Sequence, residues 1–465
     1  MNPTKTRLSR RDFLKTMGVG SAAALLAGCG GGATQAPAPA VTQAATQPAT
    51  PAAAGGLSFK GTLDVWDWEF PGRQAVFQKF IDGEWAAKYP DIKINLRALP
   101  WGDMETKILA VSTAKNGPPM SNVFFFWRYE LERAGVLNPF PDDFTNWDDR
   151  ISTPFMTDDG KIRALPSGWY MDMIYYNKQM LDKAGIKPEA IPTQWDEFIK
   201  MAQQFVQKDS NGKLTQLGCI MNDYWQHEYL WCDLIYQQGG WMYNEDGTKS
   251  LWDAPEAVNA LQFIQDWYHT NQIDSLEFPV GYTSFGNQSA PFFLGSGWNT
   301  VWLLNDFPDF ADQWDTVPMP TLSGKPGPSW GLACPEEGMQ VFNYFPDDQQ
   351  EACTMFIKDL YTGDQSEVGL ILGQWCAPDS RHLMTDPRIE ATKSLKAMIT
   401  TMPWRVCPGE RPIEAEKLWR TMFDKVTLEK GDAKAAAQEA AAAINAELPK
   451  KKRYFTERNY VAPGA

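Results

Sequence analysis

The chain has 465 residues, 43% of them hydrophobic, 13% aromatic and 22% charged, and 57 acids outnumber 43 bases for a net charge of −14. Such an acidic balance argues against nucleic acid or an anionic lipid surface as the partner. The three histidines, His227, His269 and His382, stand far apart in sequence, so a zinc cluster or a Ser-His-Asp arrangement has little to draw on; no metal and no cofactor are expected.

Lys5, Arg7, Arg10, Arg11 and Lys15 precede an apolar run, Met17 to Ala27, which is too short for the roughly 20 residues of a membrane span. This reads as an export signal over residues 1–28, to be set aside from the fold. Ser9-Arg10-Arg11-Asp12-Phe13-Leu14-Lys15 resembles the twin-arginine signal at each specified position, so the chain is expected to cross the membrane folded. Leu26-Ala27-Gly28-Cys29 looks like a lipobox, which makes Cys29 the expected lipidated residue and the anchor at the extracytoplasmic face. Residues 30–56 are almost entirely Gly, Ala, Pro, Thr and Gln without charge, so with Cys29 they form a linker that buries too little to fold. As a flexible coil its reach is about 26–31 Å. Removing the five bases and one acid of residues 1–28 leaves 38 bases against 56 acids, or −18.

The 409 residues after Gly56 exceed what one core readily organises, and two compact units are expected. Leu63 to Asp67 alternates as a strand, and Gln74 to Tyr89 carries Phe77, Phe80, Ile81 and Trp85 at helical spacing. Ile92 to Leu99 alternates again, a helix runs through Ile108 and Val111, and the apolar stretches Val123 to Trp127 and Leu131 to Leu137 follow. The order predicts β-α-β-α-β with a mostly parallel sheet. Further on, Ile162–Pro166 and Ile174–Asn177 read as extended. Helices are predicted to Val206 with Thr193 as N-cap, from Asp253-Ala254-Pro255-Glu256, from near Asp347, and over the alanine-rich stretch from Asp432 to Leu448.

Beyond Cys29 six cysteines remain, at 219, 232, 334, 353, 376 and 407, none in a Cys-x-x-Cys pair, and spacing leaves their connectivity open. Twenty tryptophans are several times ordinary usage. Some belong to the core, but Trp101, Trp241, Trp298, Trp330, Trp375 and Trp404 lie in Gly-, Pro- or Asp-containing stretches. Sugars combine flat C–H faces with rings of hydroxyls, so a surplus of aromatic platforms leans towards carbohydrate.

Gly160-Lys161-Ile162-Arg163-Ala164-Leu165-Pro166, Ile174-Tyr175-Tyr176-Asn177-Lys178, Lys183-Ala184-Gly185 and Pro192-Thr193-Gln194-Trp195-Asp196-Glu197-Phe198 occur in the order of a known signature region. With Gly239-Gly240, Gly295-Ser296-Gly297-Trp298 and Pro318-Met319-Pro320, they resemble the family 1 extracellular solute-binding proteins, the maltose-binding-protein-like group. Trp375-Cys376-Ala377-Pro378 departs from the commoner Gly-x-x-Pro stretch. The resemblance implies an α/β, two-lobed periplasmic-binding-protein fold of type II, with discontinuous lobes joined by hinge segments. Lobe one would hold 57–168 and 326–378, lobe two 172–317 and 383–449, with a tail over 450–465. It also implies a monomer that binds a sugar, oligosaccharide or polyol between the lobes and delivers it to the permease subunits of an ABC importer.

Open α/β sheets place ligands beyond the carboxyl ends of their strands. On lobe one that selects Trp68 and Glu69, Trp101, and Trp127 with Arg128 as candidates. By the resemblance, Tyr170, Asp172, Trp241 and Trp298 face them from lobe two, and Trp330, Trp375, Trp404 and Arg405 occupy further loops that reach the cleft. Each aromatic has a plain alternative as a packing residue, and Arg405 as the partner of a surface acid. Two other functions fit the composition: an anchored glycan-active enzyme with paired carboxylates, and a ligand-sensing lipoprotein. The resemblance and the lack of a catalytic motif favour a binding protein that is not an enzyme.

Overall fold

The computed structural model describes residues 56–152, 160–221, 223–335, 338–406 and 412–450. The export signal with Arg10 and Arg11, Cys29, the linker up to residue 55, Cys407 and the tail beyond 450 lie outside the described residues.

Strand β1 (Gly61–Trp68) buries Leu63 and Val65 on alternate positions and leads into helix α1 (Pro71–Phe80), whose Pro71 sits in the first turn, where its missing N–H costs nothing. The helix continues through a π-turn, Ile81–Trp85, that turns Ile81 and Trp85 inward. Then come β2 (Ile92–Leu99), α2 (Trp101–Thr113), β3 (Met120–Val123), α3 (Phe125–Arg133) and β4 (Leu137–Asn138). β1 pairs in parallel with β2 and β3, as the β-α-β-α-β reading expects. The third strand differs: it ends at Val123, and the apolar run after it is helical, so Trp127 and Arg128 stand on α3 rather than on a loop. The chain already leaves the sheet after Val123, and the aromatic run packs as a helix over the strand ends.

β5 (Leu165–Pro166) precedes β6 (Gly168–Asn177), ten consecutive residues that are all buried. Next are α4 (Trp195–Gln203), β7 (Cys219–Ile220), α5 (Tyr224–Gln237), α6 (Pro255–His269), β8 (Phe292–Ser296), α7 (Trp298–Asp306) and β9 (Trp314–Pro318). At α4 the N-cap is Gln194, and the Thr193 hydroxyl instead donates to the Gly324 carbonyl at 2.9 Å. Later elements include β10 (Ala333–Pro335), β11 (Gly338–Phe342), α8 (Asp347–Thr362), α9 (Asp364–Gln374), β12 (Ala377–Pro378), α10 (Leu395–Thr401), α11 (Glu414–Thr427) and α12 (Ala433–Glu447). The Asp432 carboxylate caps α12, accepting from the Ala435 N–H at 2.7 Å, and the alanine face of α12 packs closely on α11 and α6.

The fold has two lobes, each built on one sheet. The first sheet has the order β2-β1-β3-β11-β4, with β5 also on β11; the second has β9-β6-β8-β7, with β10 and β12 also on β6. β6 joins the two halves of the molecule. Its first four residues are flanked by β10 and β12, and its last six pair with β8 and β9. Two buried polar networks fasten this crossing. In one, the Arg73 guanidinium grips the Asp67 carboxylate through two nitrogens at 2.9 and 2.7 Å and donates to Gln374 at 2.8 Å, and Gln374 donates to the Ser167 hydroxyl at 2.7 Å. In the other, Arg150 lies 2.8 Å from Glu367 and 4.0 Å from Asp379, while Asp379 accepts from the Ser152 N–H and hydroxyl and from the Trp169 indole at 2.9 Å. Glu367 also accepts from Ser380. Burial pushes both the Glu367 and Asp379 carboxyls above their ordinary range, and the Arg150 charge opposes the shift. A half-bonded version of either network would leave a buried charge alone, so together they specify where the chain passes between lobes.

The tryptophan surplus is first a matter of packing. Trp85, Trp169, Trp195, Trp231, Trp252, Trp267, Trp314 and Trp419 are fully buried, and in the second lobe's core Trp231 meets Trp252 and Trp419 edge to face while those two tilt against each other.

Candidate interlobe binding site

Where the strands of the first sheet end, β1 delivers Trp68, the first turn of α2 delivers Trp101, and α3 delivers Trp127. Trp68 meets Trp101 edge-on at 4.9 Å between centroids and Trp127 at 6.1 Å; Trp101 and Trp127 are tilted against each other at 4.9 Å, and Phe124 closes on both. The Arg73 guanidinium covers the Trp68 ring at 4.6 Å. Trp127 is only 4% exposed, and Arg128 is 1% exposed in an ion pair with Glu132 at 3.5 Å. Glu69 is exposed; its backbone N–H is spent on the Leu99 carbonyl at 2.8 Å.

From the second lobe, the N-terminal turns of α5 and α7 approach this cluster. The Asp223 carboxylate caps α5 by accepting from the Trp225 N–H at 3.1 Å, which sets Trp225 in the first turn. The Trp225 ring then lies 6.4 Å from Trp101 and 6.0 Å from Phe124, edge to face. Trp298 opens α7 and packs edge-on against Tyr170 of β6 at 5.2 Å and Tyr229 of α5 at 5.8 Å. Trp302, one turn later, reaches Phe70 of the first lobe at 6.0 Å. Gly297 must be glycine here, because a Cβ would come within 2.2 Å of the Trp375 carbonyl oxygen. Trp375 itself takes a left-handed conformation at the end of α9, φ 58°, and its indole donates to Ser394 at 2.7 Å.

Trp68, Trp101, Trp127, Tyr170 and Trp298 thus gather along one seam between the lobes. Trp330 and Trp404 make other contacts: the Trp330 indole donates to the Met319 carbonyl at 2.8 Å, and the Trp404 carbonyl accepts from the Ser329 N–H at 2.9 Å. Arg405 lies over the Trp169 ring at 5.4 Å and donates to the Met402 carbonyl at 3.0 Å. Trp241 packs on Tyr236. Sequence reasoning missed Trp225, Tyr229 and Asp233, all on α5. The signal for Trp225 was present in Asp223, an N-cap residue two positions ahead of it.

Asp172 is 1% exposed and accepts from Ser296, its cross-strand neighbour on β8. Burial raises its carboxyl to about 7, against the opposing Ser296 hydrogen bond. Asp233 is equally buried and accepts from the Ser329 hydroxyl at 2.6 Å; burial, reinforced by the charge of Asp172, pushes its carboxyl well up. Two carboxyls that feel each other in a dry site do not both ionise, so at neutral pH the pair retains a proton. Among the described residues no group of three or more His, Cys, Asp or Glu is placed to hold a metal ion, and Cys219, Cys232, Cys353 and Cys376 are all buried.

Two α/β lobes on separate sheets, threaded by one long strand and meeting at an aromatic seam, define the architecture of a two-lobed solute-binding protein. The chain belongs to the bacterial extracellular solute-binding protein family, whose profile matches residues 67–338, and a twin-arginine translocation signal profile matches residues 7–27. The chain is 24% identical over 282 residues to an arabinooligosaccharide-binding protein of Halalkalibacterium halodurans, covering 57% of this chain and 60% of the relative. It is 24% identical to a lactose-binding protein of Rhizobium radiobacter, covering 57% and 63%. The chain thus spans about three-fifths of the length of these curated relatives. Among solved structures, a solute-binding protein of Thermotoga lettingae bound with α-D-tagatose superposes with a TM-score of 0.70 at 17% identity, over 83% of this chain and 99% of the other. The maltodextrin-binding domain of Bdellovibrio bacteriovorus bound to maltotriose gives 0.69 at 16% identity, over 84% and 100%. At these identities the superpositions establish the type II periplasmic-binding fold.

Proposed function

We propose that the interlobe seam is the binding site of a neutral, hydroxyl-rich solute, a sugar or short oligosaccharide, which the protein captures outside the cytoplasm and passes to an ABC-type importer. The observation that carries this reading is the convergence of Trp68, Trp101 and Trp127 from one lobe on Trp225 and Trp298 from the other. Aromatic faces supply large apolar platforms at low conformational cost, and carboxylates and amides beside them supply the polar half of sugar recognition. The relatives named for arabinooligosaccharides and lactose support the solute class. In this reading the protein acts as a monomer, binds without turnover, and is held at the membrane by lipid on Cys29. Lobe one comprises 57–168 and 326–378, and lobe two 172–317 and 383–449. Glu69, Arg128, Trp241, Trp330, Trp375, Trp404 and Arg405 are its further candidate contacts.

The test is thermal unfolding of the purified protein against L-arabinose, arabinobiose, D-xylose, lactose and maltotriose. A ligand at a hundredfold excess over its Kd stabilises by about 2.7 kcal/mol, and tryptophan emission should shift with it. If none of these sugars moves either signal, or if a bound sugar is cleaved, the reading fails.

A further inference from the structure

Asp172 and Asp233 differ from Asp274, another buried acid of the second lobe, in what they lack. Each accepts from a serine hydroxyl, Ser296 and Ser329 respectively, the Leu332 N–H also bears on Asp233, and in each the Oδ2 is buried with no hydrogen-bond partner among the described residues. Among the described residues no base figures in the environment of either carboxyl. Asp274 shows the alternative: buried in the same lobe, it accepts from the Met221 N–H at 2.6 Å on one oxygen and from the Ser275 N–H at 2.7 Å on the other. That acid is satisfied by the fold itself, whereas Asp172 and Asp233 are half satisfied.

The two carboxylates share one setting. The segment from Ser329 to Gly331 touches both: Ser329 holds Asp233, and Gly331, at φ +97°, lies so close to Asp172 that a Cβ would come 2.9 Å from its carbonyl oxygen. On α5, Gln226 stands two turns before Asp233 on the same helical face. It too is buried, and both atoms of its amide lack a partner. Tyr229, between them on that face, reaches Trp298 at the seam. Buried polar atoms of native proteins are rarely left unpaired, and three such side chains on one wall of an aromatic seam point to something the protein itself does not supply.

We propose that Asp172 and Asp233 form one recognition subsite that takes two neighbouring hydroxyl groups of the bound solute, one on each free Oδ2, with the Gln226 amide as a further polar contact along α5. This rests on the seam being the solute site, and it narrows the solute to one presenting a vicinal diol at that end. Because the pair keeps one proton at neutral pH, one carboxyl can donate while the other only accepts, and a diol, whose hydroxyls both donate and accept, meets both without adding charge. A solute lacking one of them leaves a carboxylate oxygen buried and unbonded, the situation in which polar sites discriminate most strongly.

The experiment uses the full-length protein and the tightest binder among L-arabinose, arabinobiose, D-xylose, lactose and maltotriose, measured by calorimetric titration. Asp172→Asn and Asp233→Asn should each weaken it at least tenfold, and the double variant should lose less than the product of the two, since both act on one subsite. Without sugar, each variant should melt within a few degrees of the wild type, whereas Asp274→Asn should melt lower and keep its affinity. Affinities within twofold of wild type in both variants would overturn the subsite and leave the seam intact as the binding site. Melting temperatures depressed as far as that of Asp274→Asn, or variants that fail to fold, would show the pair to be structural and also overturn it. If no sugar on the panel binds the wild type, the reading of the seam falls, and the subsite falls with it.

Discussion

Trp101 of the first lobe and Trp225 of the second meet edge to face across the seam, ring centroids 6.4 Å apart at 77°. An aromatic pair of this geometry contributes about 0.5–1.5 kcal/mol beyond its buried area. Because the two rings come from different lobes, that energy is available only when the lobes are together. Trp101→Ala and Trp225→Ala should each weaken solute binding by several-fold, and a double-mutant cycle should return a coupling of about that size. Strictly additive effects in titration calorimetry would mean that the rings do not act as a pair.

Gly297 lies against the backbone of Trp375, and alanine would place its Cβ 2.2 Å from a carbonyl oxygen and 3.0 Å from the Met398 sulfur. Neither the oxygen nor the helix start behind it can yield freely. Gly297→Ala should therefore cost about 1–3 kcal/mol of stability and displace Trp298, read as a lower melting temperature together with weaker solute binding. A variant with wild-type melting and wild-type affinity would refute the close approach.

Arg150 neutralises Glu367 and Asp379 where the chain passes between lobes. Replacing it by methionine leaves two buried acids without their base, a loss of about 3–5 kcal/mol. Adding Glu367→Met should restore part of it. Urea denaturation of the single and double variants checks both statements, and a single variant within 1 kcal/mol of wild type contradicts the first.

Asp274 and His227 both lie against Tyr268, His227 at 2.7 Å from its hydroxyl. Burial raises the Asp274 carboxyl to about 7 and lowers the His227 imidazole to about 3. The raised acid contributes stability that is complete below its unfolded value of 3.8 and is lost as pH rises through about 7. The depressed histidine contributes stability that is complete above 6.5 and is lost as pH falls towards 3. Between pH 4 and 6.5 the two oppose each other. Asp274→Asn should make the slope of stability against pH less negative in that window, and His227→Gln should make it more negative. Denaturation midpoints taken at half-unit steps would show either change, and identical slopes would disprove the assignment.

Cys29→Ser should move the protein from the membrane fraction to the soluble extracytoplasmic fraction while leaving solute affinity untouched. In the proposed arrangement the lipid would be joined to the seam through the Gly-, Ala- and Pro-rich stretch of residues 30–56. A drop in affinity would place that stretch in the site.

Periodicity in the sequence already determined much of the scaffold. Alternation over Leu63–Asp67 and Ile92–Leu99 is the pleat of β1 and β2, and the turn signals at Pro255, Asp347 and Asp432 start α6, α8 and α12 where the structure starts them. Local rules suffice there because each element buries one face and exposes the other. They fail where both faces are buried. Residues 226 to 236 of α5 are all buried, including Gln226, His227, Glu228 and Asp233, so no hydrophobic stripe marks which side faces the seam, and the polar residues among them look like any others in the sequence. The third strand was misplaced for a related reason: Val123 to Trp127 is uniformly apolar, and only the packing of Trp127 against Trp68 and Trp101 decides that the strand stops and a helix begins. Which tryptophans fill a core and which reach the seam was likewise settled by the long-range pairing of β6 with four strands that come much later in the chain, contacts between residues as far apart as Trp169 and Ala377 that local spacing does not encode.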